Sequence, residues 1–153
     1  MMRCRRDAQS RQPSSESRSG AAMVETALVL PIMLMIILGI VEFGRAFSVS
    51  QLLTNAAREG NRMSVLSGVT TQDVIDEVHM LTTNTVGVDQ TNVGVTVTVT
   101  PSSGGAQHSD LTLAQKRDLI DIRVTVAYQN VSLMPVRWLQ GVNLVGQSAM
   151  RHE

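Results

Sequence analysis

The sequence predicts an α+β fold: a long N-terminal helix, a short second helix and a three-stranded antiparallel sheet. Three observations predict it. Thr26 to Val41, TALVLPIMLMIILGIV, holds sixteen residues without a charge. After it, apolar residues recur at spacings near three and four, the helical period, as far as Thr83. Beyond residue 92 the period changes to two, with valines and isoleucines alternating against threonines and charged residues.

Residues 1–20 are rich in Arg, Ser and Gln, contain Pro13 and have few apolar side chains, so they cannot bury enough surface to order themselves. They read as a disordered basic leader, followed by a transmembrane helix over 21–47 and an extracytoplasmic domain over 48–153. Cys4 is the only cysteine, which excludes an intramolecular disulfide and a cysteine metal site. It is not a lipoprotein cysteine, because no apolar run precedes it.

With Ala21 to Val24 added, the uncharged run is just long enough for a hydrocarbon core of about 30 Å. Pro31 removes one backbone hydrogen bond inside it, and a bend near Leu28 to Pro31 is expected. Gly39 and Gly44 are five apart rather than four, so they do not form a GxxxG dimer face. Arg3, Arg5, Arg6, Arg11 and Arg18 precede the run against only Asp7 and Glu16. Under the positive-inside rule this places the N-terminus in the cytoplasm and the residues after the span outside a cytoplasmic membrane, as a single pass. A secretory signal peptide is the structural rival, but Glu42 and Arg45 stand where its small-residue cleavage signature would be.

The helix is expected to run on to about residue 66. Phe43, Phe47, Leu53, Ala57, Gly60, Met63 and Leu66 form its apolar face, and Ser50, Gln51, Asn55, Arg58, Glu59, Asn61 and Arg62 its polar one. Ser67 and Gly68 supply the stop. A second helix is expected over Thr71 to Thr83, opened by Thr70 or Thr71 with Asp73 in its first turn. Strands follow at Val93 to Val99 and Ile120 to Tyr128, and a third fits Val142 to Met150. The loop from Pro101 to Asp110 is a surface loop, and 111–118 is open between a helical turn and irregular chain. With no helix between the strands, the sheet is antiparallel and packs on the outer half of the long helix.

Thirteen basic and thirteen acidic residues cancel, and aromatic residues are 3% of the chain, which gives nucleic acid neither an electrostatic nor a stacking partner. His79, His108 and His152 share no ligand spacing and read as solvated side chains, so neither a metal nor a cofactor is expected. No serine lies in a GxSxG or SxxK setting, and Asp118, Asp121, Asp76 and Glu77 read as surface charge rather than acid and base pairs. The chain is not expected to be an enzyme.

Two acids flank the span. Glu42 stands three residues before Arg45 and reads as an interfacial charge with a local partner. Glu25 is costlier, because a carboxylate inside a bilayer costs roughly 2.5 to 3.5 kcal/mol and calls for compensation. Were the chain cut after Gly20, the new Ala21 ammonium would lie about one helical turn from the Glu25 carboxylate. Simple interfacial placement is the alternative for Glu25.

The block GAAMVETALVLPIMLMIILGIVEFGRAFSVSQLLTNAAREGNR, residues 20–62, resembles the TadE-like proteins, pilin-like minor subunits of the tight-adherence secretion system. The resemblance rests on Gly20 and Glu25, on the LVLP entry with Pro31, on the exit through Glu42, Phe43, Gly44 and Arg45, and on Asn55, Ala57, Arg58, Glu59, Gly60 and Arg62. The ending VNLVGQSAMRHE is loosely similar to family endings. Thr26 stands where many members carry an aromatic residue. The resemblance implies a pilin-like fold and cleavage after Gly20 by a prepilin peptidase, leaving Ala21 as the mature N-terminus. It further implies a pseudopilin, or assembly factor, of a Flp-type pilus that works in pilus biogenesis, adhesion and biofilm formation. Its partners would be other pilin-like subunits, the assembly platform and the lipid bilayer, with Glu25 pairing with a neighbour's terminal ammonium. Two other readings stay open: an uncleaved single-pass protein whose outer domain binds an envelope partner, and a cleaved secreted protein.

Overall fold

The computed structural model describes residues 15–66, 68–132 and 141–152, the first five by backbone alone. The readings of residues 1–14, Ser67 and Glu153 fall outside them. The architecture is α+β: a long apolar N-terminal helix, a short second helix and a three-stranded antiparallel sheet. The chain divides into two units, Met1–Ile40 and Val41–Glu153.

Helix α1 spans Ser15–Ser64, with Pro31 inside an unbroken helical stretch. It begins six residues before the expected Ala21 and ends two before the expected Leu66. Once a helix is nucleated, each further residue adds one bond, so the polar turn ahead of the apolar run is taken into it at little cost.

In the second unit α1 turns one stripe inward: Glu42, Val49, Leu53, Ala56, Ala57, Gly60, Asn61 and Ser64 are buried. This corrects the expected face at four places. Phe43 and Phe47 are 67% and 68% exposed, and Leu66 is exposed as well, whereas Asn61, assigned to the wet face, is fully buried. Hydropathy picked the bulkiest apolar residues, but the stripe is set by what packs opposite, and small residues let the neighbouring elements come close.

Helix α2, Thr71–Val86, runs three residues past its expected end and is stopped by Gly87 at φ 76°. Its start is the expected one. Thr70 accepts from the Asp73 amide, and the Asp73 carboxylate accepts from the Thr70 amide at 2.9 Å, a reciprocal box that satisfies two end donors. Val74, Val78 and Thr82 face the core. A Cβ on Gly60 would lie 2.5 Å from Cγ2 of Val78, so the glycine permits the close approach of α1 and α2.

The sheet is β1 (Val93–Thr100), β2 (Leu119–Ala127) and β3 (Asn143–Arg151), in that spatial order and antiparallel throughout. Each strand begins and ends within a residue or two of its expected limits. Val97, Val99, Ile120, Ile122, Val124 and Val126 form the buried face, while Thr96, Arg123 and Gln147 line up across the opposite one. Residues 111–118 resolve into a short 3-10 turn, Leu111–Leu113, and a tight turn at Lys116 and Arg117.

Strand β3 meets α1 backbone to backbone. A Cβ on Gly146 would overlap the Leu53–Thr54 peptide and lie 2.6 Å from Leu53 Cβ, so only glycine fits. The Ser50 hydroxyl donates to the Val145 carbonyl at 3.3 Å beside this contact.

Candidate functional site

The residues singled out from the sequence separate into an exposed group before Val41 and a packed group after it. Gly20, Ala21 and Glu25 are exposed on α1, and a side chain at Gly20 would meet nothing within 4 Å. Glu25 has no hydrogen bond or ion pair among the described residues. Thr26 turns its hydroxyl back to the Ala22 carbonyl at 2.9 Å, which satisfies it within the helix. From Met23 to Val41 the large apolar side chains all lie open, Leu28 at 72% and Ile40 at 66%. This helix is long and apolar enough to cross a membrane.

Glu42 behaves otherwise than expected. It is 5% exposed, and its Oε1 accepts from the Tyr128 hydroxyl at 2.5 Å and the Ser132 hydroxyl at 2.7 Å. One turn later the Arg45 Nε donates to the Val131 carbonyl. Glu42 and Arg45 therefore clamp the chain that follows β2 instead of snorkelling. Charge-assisted bonds are stronger than neutral ones, and a buried carboxylate needs them. Burial raises the pKa of Tyr128, and its bond to Glu42 and the acid's charge push the same way. The clamp partners were not identifiable from sequence because 86 residues separate Tyr128 from Glu42. A signal existed in Tyr128 itself, an aromatic with a hydroxyl at the end of a buried strand face.

The TNAAREGNR block divides by face. Ala57 and Gly60 are buried, while Asn55, Arg58, Glu59 and Arg62 are exposed, with Arg62 pairing to Glu59 at 3.3 Å. Asn61 is 0% exposed, and neither its Oδ1 nor its Nδ2 has a partner.

The acids and histidines read as surface groups also differ in part. Asp118 is 3% exposed, and its two carboxylate oxygens accept from the amides of Ser102 and Gln115, both at 2.8 Å. Those bonds hold its pKa below the usual carboxylate value. It ties two loops together, a role that its place in the sequence did not reveal. His79, His108 and His152 are half-buried rather than solvated. Among the described residues no three His, Cys, Asp or Glu side chains could hold a metal ion.

Helix α1 thus combines an exposed apolar surface, an exposed acid at Glu25 and a clamped exit at Glu42 and Arg45. Residues 20–62 match the family model described as TadE-like protein. The TadE-like segment takes in the whole apolar run, the Glu42 and Arg45 clamp and the Gly60 contact, and ends before α2 and the sheet. No curated protein and no solved structure matches the chain. Residues 20–62 are thus similar to TadE-like proteins of the Tad pilus, and they lie on one helix long and apolar enough to cross a membrane.

Proposed function

We propose that the protein is a pseudopilin, a membrane-anchored assembly factor of a tight-adherence pilus that serves biogenesis, adhesion and biofilm formation. The observation that carries this reading is Glu25, exposed on an apolar helix within the TadE-like segment and without a hydrogen bond or ion pair among the described residues. In a bilayer that acid must be compensated. Cleavage after Gly20 by a prepilin peptidase would expose an Ala21 ammonium on a neighbouring subunit, the charge that Glu25 lacks. The protein then works by association rather than catalysis. It is held in the cytoplasmic membrane with its N-terminus inside, and pilin-like subunits and the assembly platform are its partners.

Intact-mass measurement of the membrane-extracted protein tests the cut. A mature chain starting at Ala21 is expected, and Gly20→Leu should block it without disturbing packing, since nothing lies within 4 Å of that position. Glu25→Ala should leave the cut in place and abolish piliation. Normal mass and normal pili in both variants would sink the reading.

One observation favours the uncleaved single-pass alternative. Gly20 lies inside α1, so the bond after it is helical and a peptidase would have to unwind it. An intact Met1 in the membrane fraction would select that alternative.

A further inference from the structure

The end of the sheet farthest along β2 from Tyr128 carries a feature that the TadE-like segment does not account for. Thr100, Leu119 and Arg151 are register partners on three adjacent strands, and so lie side by side on the outer sheet face. With Pro101, Ser102 and Arg117 they line an open pocket of about 380 Å³. Leu119, 39% exposed, and Pro101 contribute the apolar patch, and the other lining residues carry hydroxyls and two guanidinium groups.

Both guanidiniums are unengaged among the described residues. Arg45, Arg62 and Arg123 each bond to a protein oxygen, whereas the side chains of Arg117 and Arg151, like that of the exposed Arg58 on α1, have no hydrogen bond or ion pair among the described residues. The acids nearest in sequence and register are committed elsewhere. Asp118 is held by the Ser102 and Gln115 amides, and Asp121 accepts from the Gln147 amide nitrogen at 2.7 Å.

Arg117 is also held in an unfavourable backbone shape. It occupies the third position of the turn Gln115 to Asp118, closed by the Asp118 amide on the Gln115 carbonyl at 3.0 Å, with φ at 78°. Turns of this kind take Gly or Asn there. Arg117 is the one non-glycine residue with positive φ among those described. The turn is pinned to the end of β3: the Arg117 amide donates to the His152 carbonyl at 2.7 Å, and the His152 amide to the Asp118 carbonyl at 2.9 Å. An arginine where glycine would relieve strain, locked beside a second arginine, calls for a function of the side chain.

We propose that this pocket binds a tetrahedral oxyanion, a phosphate or sulfate group, either free or as an ester on a polymer. One planar guanidinium satisfies a carboxylate with its paired donors, whereas two arginines lining one pocket with hydroxyl residues beside them suit a group that presents three or four oxygens. The ligand class follows from donor number and charge, and does not rest on the pilus reading.

The full chain in detergent micelles, titrated with inorganic phosphate, sulfate and acetate at matched ionic strength, tests it by NMR. Phosphate and sulfate should shift the Arg117, Leu119 and Arg151 signals saturably, and acetate should not. Arg117→Gly relieves the strained φ and so keeps the fold, and it should weaken phosphate binding at least tenfold; Arg151→Gln should do the same. A short poly(glycerol phosphate), which carries phosphate esters, distinguishes the sources: tighter binding than the free ion assigns a polymer ester, and equal or weaker binding assigns the free ion. Absence of saturable phosphate and sulfate binding, equal binding of acetate, or full affinity in Arg117→Gly with the fold intact overturns the proposal.

Discussion

Tyr128 donates its hydroxyl hydrogen to Oε1 of Glu42 at 2.5 Å, joining the end of β2 to α1 one residue after the unit boundary at Val41. A bond to a charged acceptor contributes about 1.5 to 3 kcal/mol, so Tyr128→Phe should destabilise the second unit by about that much. Chemical denaturation of the detergent-solubilised chain measures it. In a cycle with Glu42→Gln the two losses should fall short of additive, because both variants break the same contact.

The same bond predicts an alkaline limit. The folded Tyr128 pKa is raised above its ordinary value of 10.0, so the folded state holds this proton more tightly than the unfolded chain does. Its stabilising contribution is complete below about pH 10 and is lost as pH rises through the higher folded value. The sequence contains one tyrosine, so ultraviolet titration of the phenolate reads Tyr128 alone. Denaturation midpoints should fall above about pH 10 in the native chain and not in Tyr128→Phe.

Asp118 predicts the opposite sign at the acid end. Its folded pKa lies below 3.8 because two amides donate to it, so its contribution is present above the unfolded pKa and lost as pH falls through the folded one. Asp118→Asn would set amide hydrogens against one of those donors. Thermal melts should show a lower midpoint at neutral pH and a shallower loss below about pH 4 than the native chain.

Gly146 and Gly60 should rank clearly. Gly146→Ala forces a methyl into the Leu53–Thr54 backbone, which cannot give way, and should cost about 3 kcal/mol. At Gly60 the contact is the Val78 side chain, which can shift, and the gain in helix propensity offsets part of the cost, leaving about 1 kcal/mol. Equal losses in urea titrations would contradict the backbone contact between β3 and α1.

Asn61→Leu is expected to stabilise. Its buried amide leaves a donor and an acceptor unmatched, a cost of about 1 to 3 kcal/mol that a leucine of similar size removes. A melting temperature below that of the native chain would show that the surroundings cannot take a branched apolar side chain.

The elements themselves were legible because local chemistry specifies them. Alternation from Val93 and from Ile120 marks strands whatever they pair with, and Thr70 with Asp73 opens α2 by bonds four residues wide. The apolar run from Thr26 needs no partner to be recognised, and neither does the pattern around Gly20 and Glu25. Faces were harder to assign. Hydropathy points Phe43 and Phe47 inward, yet Glu42 is the residue buried there because the chain after β2 brings it a phenol and a serine hydroxyl.

From the chain's chemistry alone come the membrane-crossing helix, the α+β order, the strand limits and the TadE-like pattern, because each depends on residues near one another in sequence. Tertiary packing chose the partners of Glu42, Arg45 and Asp118, the need for glycine at 60 and 146, and the pairing of Arg117 with Arg151 in one pocket. Those contacts join residues far apart along the chain, and which of many possible polar groups meet is set by the close approach of helix and sheet backbones, a distance that no sequence period encodes.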